Sequence, residues 1–270
     1  MLHLLARLNS ARLWRFEISA AGNRFRPPTL DRLIALFLFR LGMMGREEFH
    51  LFRSLLRPGM TVADVGANQG VFTLFFADRV GPTGAVLAFE PDSEMFSCLN
   101  ANARANAKSW VELHNLALGA EEGQLTFNVS RLNRGDNRLV PANQPPAASP
   151  SNVRVVTLDQ ILNGRTVDLI KMDVQGWEGA ALRGMKRLLA SPNPPWIHLE
   201  VCPHILHMAG SSFGEIRDLL QHYGYTLFQA DTRQLPLDFQ KVAKLKGALG
   251  YTNVLAVPPQ RLRQLPRALS

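Results

Sequence analysis

The sequence predicts an α/β fold, a mainly parallel sheet covered by helices on both faces, and three observations carry that expectation. Residues 60–70, MTVADVGANQG, read as a short buried strand ending on Asp64, a turn with Gly66 and Gly70 four apart, and the start of a helix. In that helix Val71, Leu74, Phe75 and Phe76 recur at helical spacing. A second strand, 85–89, ends in Glu90-Pro91, and strand-like and helix-like stretches alternate beyond it, as a parallel sheet with crossover helices requires.

Taken in order, residues 1–25 suggest one short amphipathic helix with Leu4, Leu5, Leu8, Leu13 and Trp14 as its apolar positions. Arg26-Pro27-Pro28 breaks it, and Thr29 is placed to cap a helix from Leu30 to about Met44. A third helix, 46–56, stops at Pro58-Gly59, and these elements are expected to pack over the core and shape the pocket. The core reads as strand 60–65, helix 69–80, strand 85–90, helix 92–106 and strands 110–116 and 124–129. Residues 130–152, with Pro141, Pro145, Pro146 and Pro150, read as a long loop covering the site. Strand 153–156 leads to Thr157, a cap for helix 158–162, followed by strand 168–173 and helix 178–190. Strand 196–201, a helix from Ser211 or Ser212 to His222, and strands 225–229 and 253–257 complete the order. The expected organisation is a basic helical extension, 1–57, a catalytic domain, 58–260, and a basic tail, 261–270.

Composition narrows the setting. Hydrophobic residues make up 46% and charged residues 19% of 270 positions, ordinary for a globular chain. The longest wholly apolar run, Leu33 to Phe39, is far shorter than the ~20 residues that span a bilayer. Arg7, Arg12 and Arg15 interrupt any signal-peptide core, and the two cysteines, Cys98 and Cys202, suit buried free thiols, so a cytoplasmic protein is expected. The net charge of +8 is concentrated early: residues 1–57 hold ten arginines against four acids. Such a segment suits nucleic acid, an anionic membrane surface or a phosphorylated carrier, although a solvated helix face is the plainer reading. Trp14, Phe16 and Phe25 are too scattered to form a base-stacking platform, which disfavours nucleic acid.

The turn after the first core strand narrows the ligand. A dinucleotide site asks for Gly-x-Gly-x-x-Gly, whereas this turn is Gly-x-x-x-Gly with Asp64 two residues before it. A carboxylate there repels a pyrophosphate and suits the cationic end of S-adenosylmethionine (SAM). Glu90, at the end of the next strand, is in reach of the two hydroxyls of a ribose. Ligands of open α/β sheets lie beyond the C-terminal strand ends, so His114 to Leu118 are candidates for an adenine wall. The same rule brings Asp173, Glu200 and His204 to the acceptor side. Asp173 is the first candidate base for a hydroxyl acceptor and His204 the second, with Glu200 beside them. Asp173 and Glu200 offer oxygen ligands that would suit Mg²⁺, but no Asp-Asn pair follows the fifth strand and a metal is not favoured. Asn193-Pro194-Pro195-Trp196 matches an amino-methyltransferase motif, yet it precedes the fifth strand and is read as a turn.

The segments DVGANQGVFT, FEPDSEMFSCLNANARAN, HNLALG, VRVVTLDQIL and VDLIKMDVQGWEGAALRGM occur in the order seen in FkbM-type SAM-dependent methyltransferases, and the resemblance covers about residues 58–230. It implies the Rossmann-like, seven-stranded sheet of class I methyltransferases with its last strand antiparallel. It also implies SAM as cofactor and a hydroxyl acceptor on a sugar or polyketide-like molecule. In that reading Asp64, Gly66, Ala67, Asn68 and Gly70 hold the methionine end, Glu90 and Pro91 the ribose, and Ala117 the adenine. Gln175 stands where many relatives carry an acid, so no proton transfer is assigned to it. Two other readings are a nucleic-acid methyltransferase and a non-catalytic SAM- or nucleotide-binding protein acting through its N-terminal helices. Peripheral membrane contact is expected, if anywhere, through residues 1–57.

Overall fold

A computed structural model describes residues 17–128, 138–139, 150–230, 237–247 and 250–265. Leu4, Leu5, Leu8, Leu13 and Trp14, most of the expected cover at 130–152 and the last five residues lie outside them. Residues 18–25 are not helical as expected: they form a hairpin of β1 (Ile18–Ala20) and β2 (Asn23–Phe25). Ile18, Ala20, Asn23 and Phe25 are buried while Ser19 and Arg24 are exposed, a period of two that an amphipathic helix cannot supply.

Helix α1 (Leu30–Arg40) ends earlier than its apolar run suggests, because Gly42 and Gly45 turn the chain at positive φ before α2 (Arg46–Leu55). Thr29 begins α1 without capping it; its hydroxyl donates to Asp31 Oδ1 at 2.5 Å. The central units follow as β3 (Thr61–Val65), α3 (Val71–Val80), β4 (Ala85–Phe89), α4 (Ser93–Ala105) and β5 (Val111–His114). Asp92 caps α4 by accepting from the amides of Glu94 and Met95.

After β5 the chain leaves the main sheet. β6 (Ala117–Leu118), β7 (Gly123–Asn128), β8 (Arg138–Leu139) and β9 (Pro150–Val156) form a separate four-stranded sheet in the order β6-β9-β7-β8. The strands expected at 124–129 and 153–156 therefore pair antiparallel with each other and do not extend the core.

Thr157 forms a capping box with Gln160 at α5 (Leu158–Leu162), and β10 (Leu169–Met172) returns to the centre. The helix expected over 178–190 is broken into α6 (Glu178–Arg183) and α7 (Lys186–Leu189). Gly184 lies between them, so close to Gly119 that an added Cβ would sit 2.0 Å from the Gly119 carbonyl oxygen. β11 (Trp196–Val201) is followed by α8 (Pro203–Met208), which the Cys202-Pro203 break concealed; proline is at home in the first helical turn. α9 (Phe213–His222, capped by Ser212), β12 (Thr226–Gln229), α10 (Phe239–Ala243) and β13 (Thr252–Val257) complete the order.

The main sheet runs β12-β13-β11-β10-β3-β4-β5. Every pairing is parallel except the two made by β13, the last strand, so the class I methyltransferase arrangement is present. Alternate residues sort the two faces. Val62, Leu169, Trp196 and Leu255 join a core with α2, α3 and the hairpin, whereas Ala63, Ile170, Ile197 and Val254 join the core formed with α6, α7 and α9. Cys98 and Cys202 are buried free thiols. Arg261 is not a tail cation: it is buried over the Trp196 ring and donates to Asp168 Oδ1 at 3.0 Å and to the Pro194 carbonyl. Among the described residues no helix is long and apolar enough to cross a membrane.

Phe52 of α2 is fully buried against Phe72, Phe76 and His198, with ring centroids 5.0–5.8 Å away. Phe52→Ala is expected to lower unfolding free energy by about 3–5 kcal/mol in a urea titration. A loss under about 1 kcal/mol would mean that α2 is not part of the cooperative core.

Candidate active site

A cavity of about 600 Å³ opens at the C-terminal ends of β3, β4, β10 and β11. At one end lies the turn after β3. The amides of Gly66 and Ala67 both donate to the Phe89 carbonyl at 3.0 Å, which draws this turn against the end of β4. Gly66 adopts φ 85°, and a Cβ on it would lie 2.0 Å from the Asp173 carbonyl oxygen, so a side chain is excluded by both conformation and space. Asn68 also adopts positive φ; its amide donates to Glu90 Oε2 at 2.8 Å, while Glu90 Oε1 accepts from the Asp92 amide at 2.8 Å. Burial pushes the Glu90 carboxyl up to about 8, against the pull of those two amides.

The expected adenine wall is partly present. Leu116, Ala117 and Leu118 line the cavity with Pro91, whereas His114 stacks on Phe89 and is not among the lining residues. Asn115 instead braces the Glu90-Pro91 segment, its amide donating to both carbonyls. Phe127 of β7 and Trp177 add to the walls.

Three strands contribute a row of polar side chains on the face that α2 and α3 cover. Asp64, Lys171 and His198 are register partners across β3, β10 and β11, and all three are buried. Asp64 Oδ2 accepts from the Thr73 hydroxyl at 2.5 Å, and Oδ1 has no partner among the described residues. Burial raises the Asp64 pKa, with Lys171 and Thr73 working against it. Burial likewise opposes the Lys171 charge, but Asp173, Asp64, Glu200 and Glu48 more than offset it and hold the ammonium above its ordinary value. Its Nζ lies 3.6 Å from Asp173 Oδ2 and 4.8 Å from the centre of the Phe72 ring. Burial and the neighbouring Lys171 push His198 down to about 3, which keeps it neutral.

Beyond this row, Gln175 donates from Nε2 to Asp173 Oδ1 at 2.8 Å and to Glu200 Oε1 at 3.3 Å, bridging the two carboxylates. The charge of Asp173, together with burial, pushes Glu200 up to about 8. Gln175 sits at φ 51° and Gly176 at φ 99°. The loop they form is braced by buried Glu178, whose Oε1 accepts from the amides of Val174 and Gly176. Tyr251 closes this end, and its phenol is raised by partial burial and by Glu200, Glu48 and Asp173.

His204 does not reach the cavity. In α8 the neighbouring Ile205 and Leu206 face the core, which turns His204 to solvent. Its place as second candidate base is not supported by this geometry. Among the described residues no cluster of three potential ligands stands ready for a metal ion. Lys171 escaped the sequence reading, although a lysine inside the apolar run Leu169-Ile170-Lys171-Met172 was a signal. The α1 wall, Ile34, Leu38 and Phe39, carried no comparable mark. Arg32 of α1 donates from Nη1 to Asn68 Oδ1 at 3.3 Å, tying this helix to the glycine turn.

Residues 64–227 match the Methyltransferase FkbM domain. The chain is 28% identical over 201 residues to the 31-O-demethyl-FK506 methyltransferase FkbM of Streptomyces tacrolimicus, covering 64% of this chain and 75% of that one. It is 30% identical over 144 residues to Methyltransferase 1 of Beauveria bassiana, covering 46% and 57%, so it spans little more than half of that relative. Among solved structures, Methyltransferase FkbM from Methylobacillus flagellatus covers 95% of this chain and 58% of its own, at 15% identity and a TM-score of 0.48. With more than half of its length matched by the domain, the chain belongs to the FkbM family of SAM-dependent methyltransferases.

Proposed function

We propose that this chain transfers a methyl group from SAM to a hydroxyl group of a small molecule or glycan. The observation that carries this reading is one cavity lined by Glu90 and the glycine turn at one end and by Asp173, Gln175 and Glu200 at the other. The residues present fit the cofactor. The unpartnered Oδ1 of Asp64 is a buried acceptor beside the cavity and suits a cationic group. Each Glu90 oxygen takes one backbone N–H and keeps lone pairs for a vicinal diol. Pro91, Leu116 and Ala117 offer an apolar wall to a purine. Bound there, SAM supplies a methyl carbon made electrophilic by its sulfonium.

Asp173 is the group that orients the acceptor hydroxyl and receives its proton. Lys171 holds that carboxylate from one side, its Nζ 3.6 Å from Oδ2, and Gln175 holds the other oxygen. Glu200 retains a proton at neutral pH because a second charge beside Asp173 is opposed. Phe39 and Phe72, in edge contact at 5.8 Å, exclude water from this end, where in-line displacement depends on positioning. Oxygen as the acceptor atom is supported by the Streptomyces relative, named for methylating 31-O-demethyl-FK506.

Glu90→Ala is expected to weaken SAM binding by more than about tenfold in calorimetry, the loss of hydrogen bonds to a charged or shared carboxyl. Unchanged affinity would remove Glu90 from the cofactor site. Asp173→Asn should bind SAM within about threefold of the parent yet lose ~10²–10⁴ in turnover, the usual contribution of a positioned base. Full activity would exclude Asp173 from proton transfer. A third test uses pH. Above about 8, Glu200 becomes charged and competes with Asp173 for Lys171 and Gln175, so kcat/KM should fall there. Glu200→Gln, neutral at every pH, should remove that limb; an identical pH profile would assign it elsewhere.

A further inference from the structure

The backbone of the glycine turn is already committed to the protein. The amides of Gly66 and Ala67 donate to the Phe89 carbonyl, and that of Asn68 donates to Glu90. The Gln69 amide donates to the Asn68 side chain at 2.9 Å, and the Gly70 amide to the Ala67 carbonyl. All five N–H groups of residues 66–70 therefore have acceptors within the chain. The turn has none of them to offer to an anionic group of a ligand.

The methionine end of SAM carries such a group. Its sulfonium and ammonium suit a cavity lined by carboxyl side chains, but its α-carboxylate is repelled there unless a cation meets it. Among the described residues that line the cavity, two are cations, Lys171 and Arg32. Lys171 is engaged at the acceptor end, 3.6 Å from Asp173 Oδ2, with Asp64 and Glu200 acting on the same charge. Arg32 stands at the glycine turn, where its Nη1 donates to Asn68 Oδ1 at 3.3 Å.

The setting of Arg32 is fixed from several directions. Its Nε donates to Asp31 Oδ2 at 2.9 Å, and the Thr29 hydroxyl holds the other oxygen of Asp31. Gln69, which is buried, donates from Nε2 to the Arg32 carbonyl at 3.3 Å. A guanidinium held this way, its side chain 12% exposed, is preorganised for a planar anion. The Asp31 pair does not preclude this, because a guanidinium presents five N–H donors and can serve two carboxylates at once.

We propose that Arg32 receives the α-carboxylate of SAM, an assignment that rests on the cofactor reading of this cavity. Position 32 lies outside residues 64–227, so α1 completes the cofactor site from beyond the family domain. The helix expected only to cover the core and shape the pocket thus supplies the one charge that the turn lacks.

The test is calorimetric and needs no acceptor. S-adenosylhomocysteine carries the carboxylate, whereas 5′-methylthioadenosine keeps the adenosine and lacks the amino-acid end. Arg32→Ala should weaken binding of the first by at least ~tenfold, the scale of lost hydrogen bonds to a charged group, and of the second by less than about threefold. Arg32→Lys, which keeps the charge without the planar fork, should recover part of the loss with S-adenosylhomocysteine alone. Should the alanine variant fail to fold, the wild type decides: decarboxylated S-adenosylhomocysteine should bind at least ~tenfold more weakly than its parent, and equal affinity overturns the proposal. Equal losses with both compounds would make Arg32 a brace for α1, overturning the assignment while leaving the cofactor reading in place. Undiminished S-adenosylhomocysteine binding by Arg32→Ala would do the same. A wild type that binds neither compound would remove the cofactor reading and this assignment together.

Discussion

The close approach of the glycine turn to the Asp173 backbone sets the geometry of everything else in the site. Gly66 lies where a Cβ would overlap the Asp173 carbonyl oxygen, so β3 and β10 end within direct contact and not a side chain apart. This contact brings Glu90, hydrogen-bonded through Asn68 to the same turn, and Asp173, at the end of β10, onto one cavity. A bulkier residue at position 66 would separate the two ends of the cavity as well as strain the backbone at φ 85°.

A second constraint is electrostatic. Asp64, Asp173 and Glu200 crowd around one buried ammonium, Lys171, so the carboxylates cannot all be charged at no cost. The protein resolves this by environment. Glu200 is driven towards its neutral form by Asp173, and Gln175 links the pair through one amide. Among the described residues Asp64 Oδ1 keeps no partner beside the cavity.

What the sequence made legible was local. The strand, turn and helix around Asp64 and the Glu90-Pro91 strand end are encoded within short windows, and so is the capping box at Thr157. The Asn193–Trp196 string leads into β11 at its N-terminal end, and none of its residues lines the cavity. Lys171 was hidden because its role depends on register. Only the pairing of β3, β10 and β11 puts it beside Asp64 and His198 on one face. His204 was misplaced for the complementary reason: strand order put it near the rim, and the unanticipated α8 rotated it outward. The separate four-stranded sheet was missed because alternation of strands does not reveal which strands pair, and Phe127 entered the wall with it.

Helix α1 has two sides with different neighbours. Leu38 and Phe39 look into the cavity and Arg32 holds Asn68, while Phe37 looks outward. A rigid helix shared in this way makes events on its two sides thermodynamically reciprocal. Whatever factor an outside contact adds to the hold on the ligand at Asn68, that ligand returns to the outside contact.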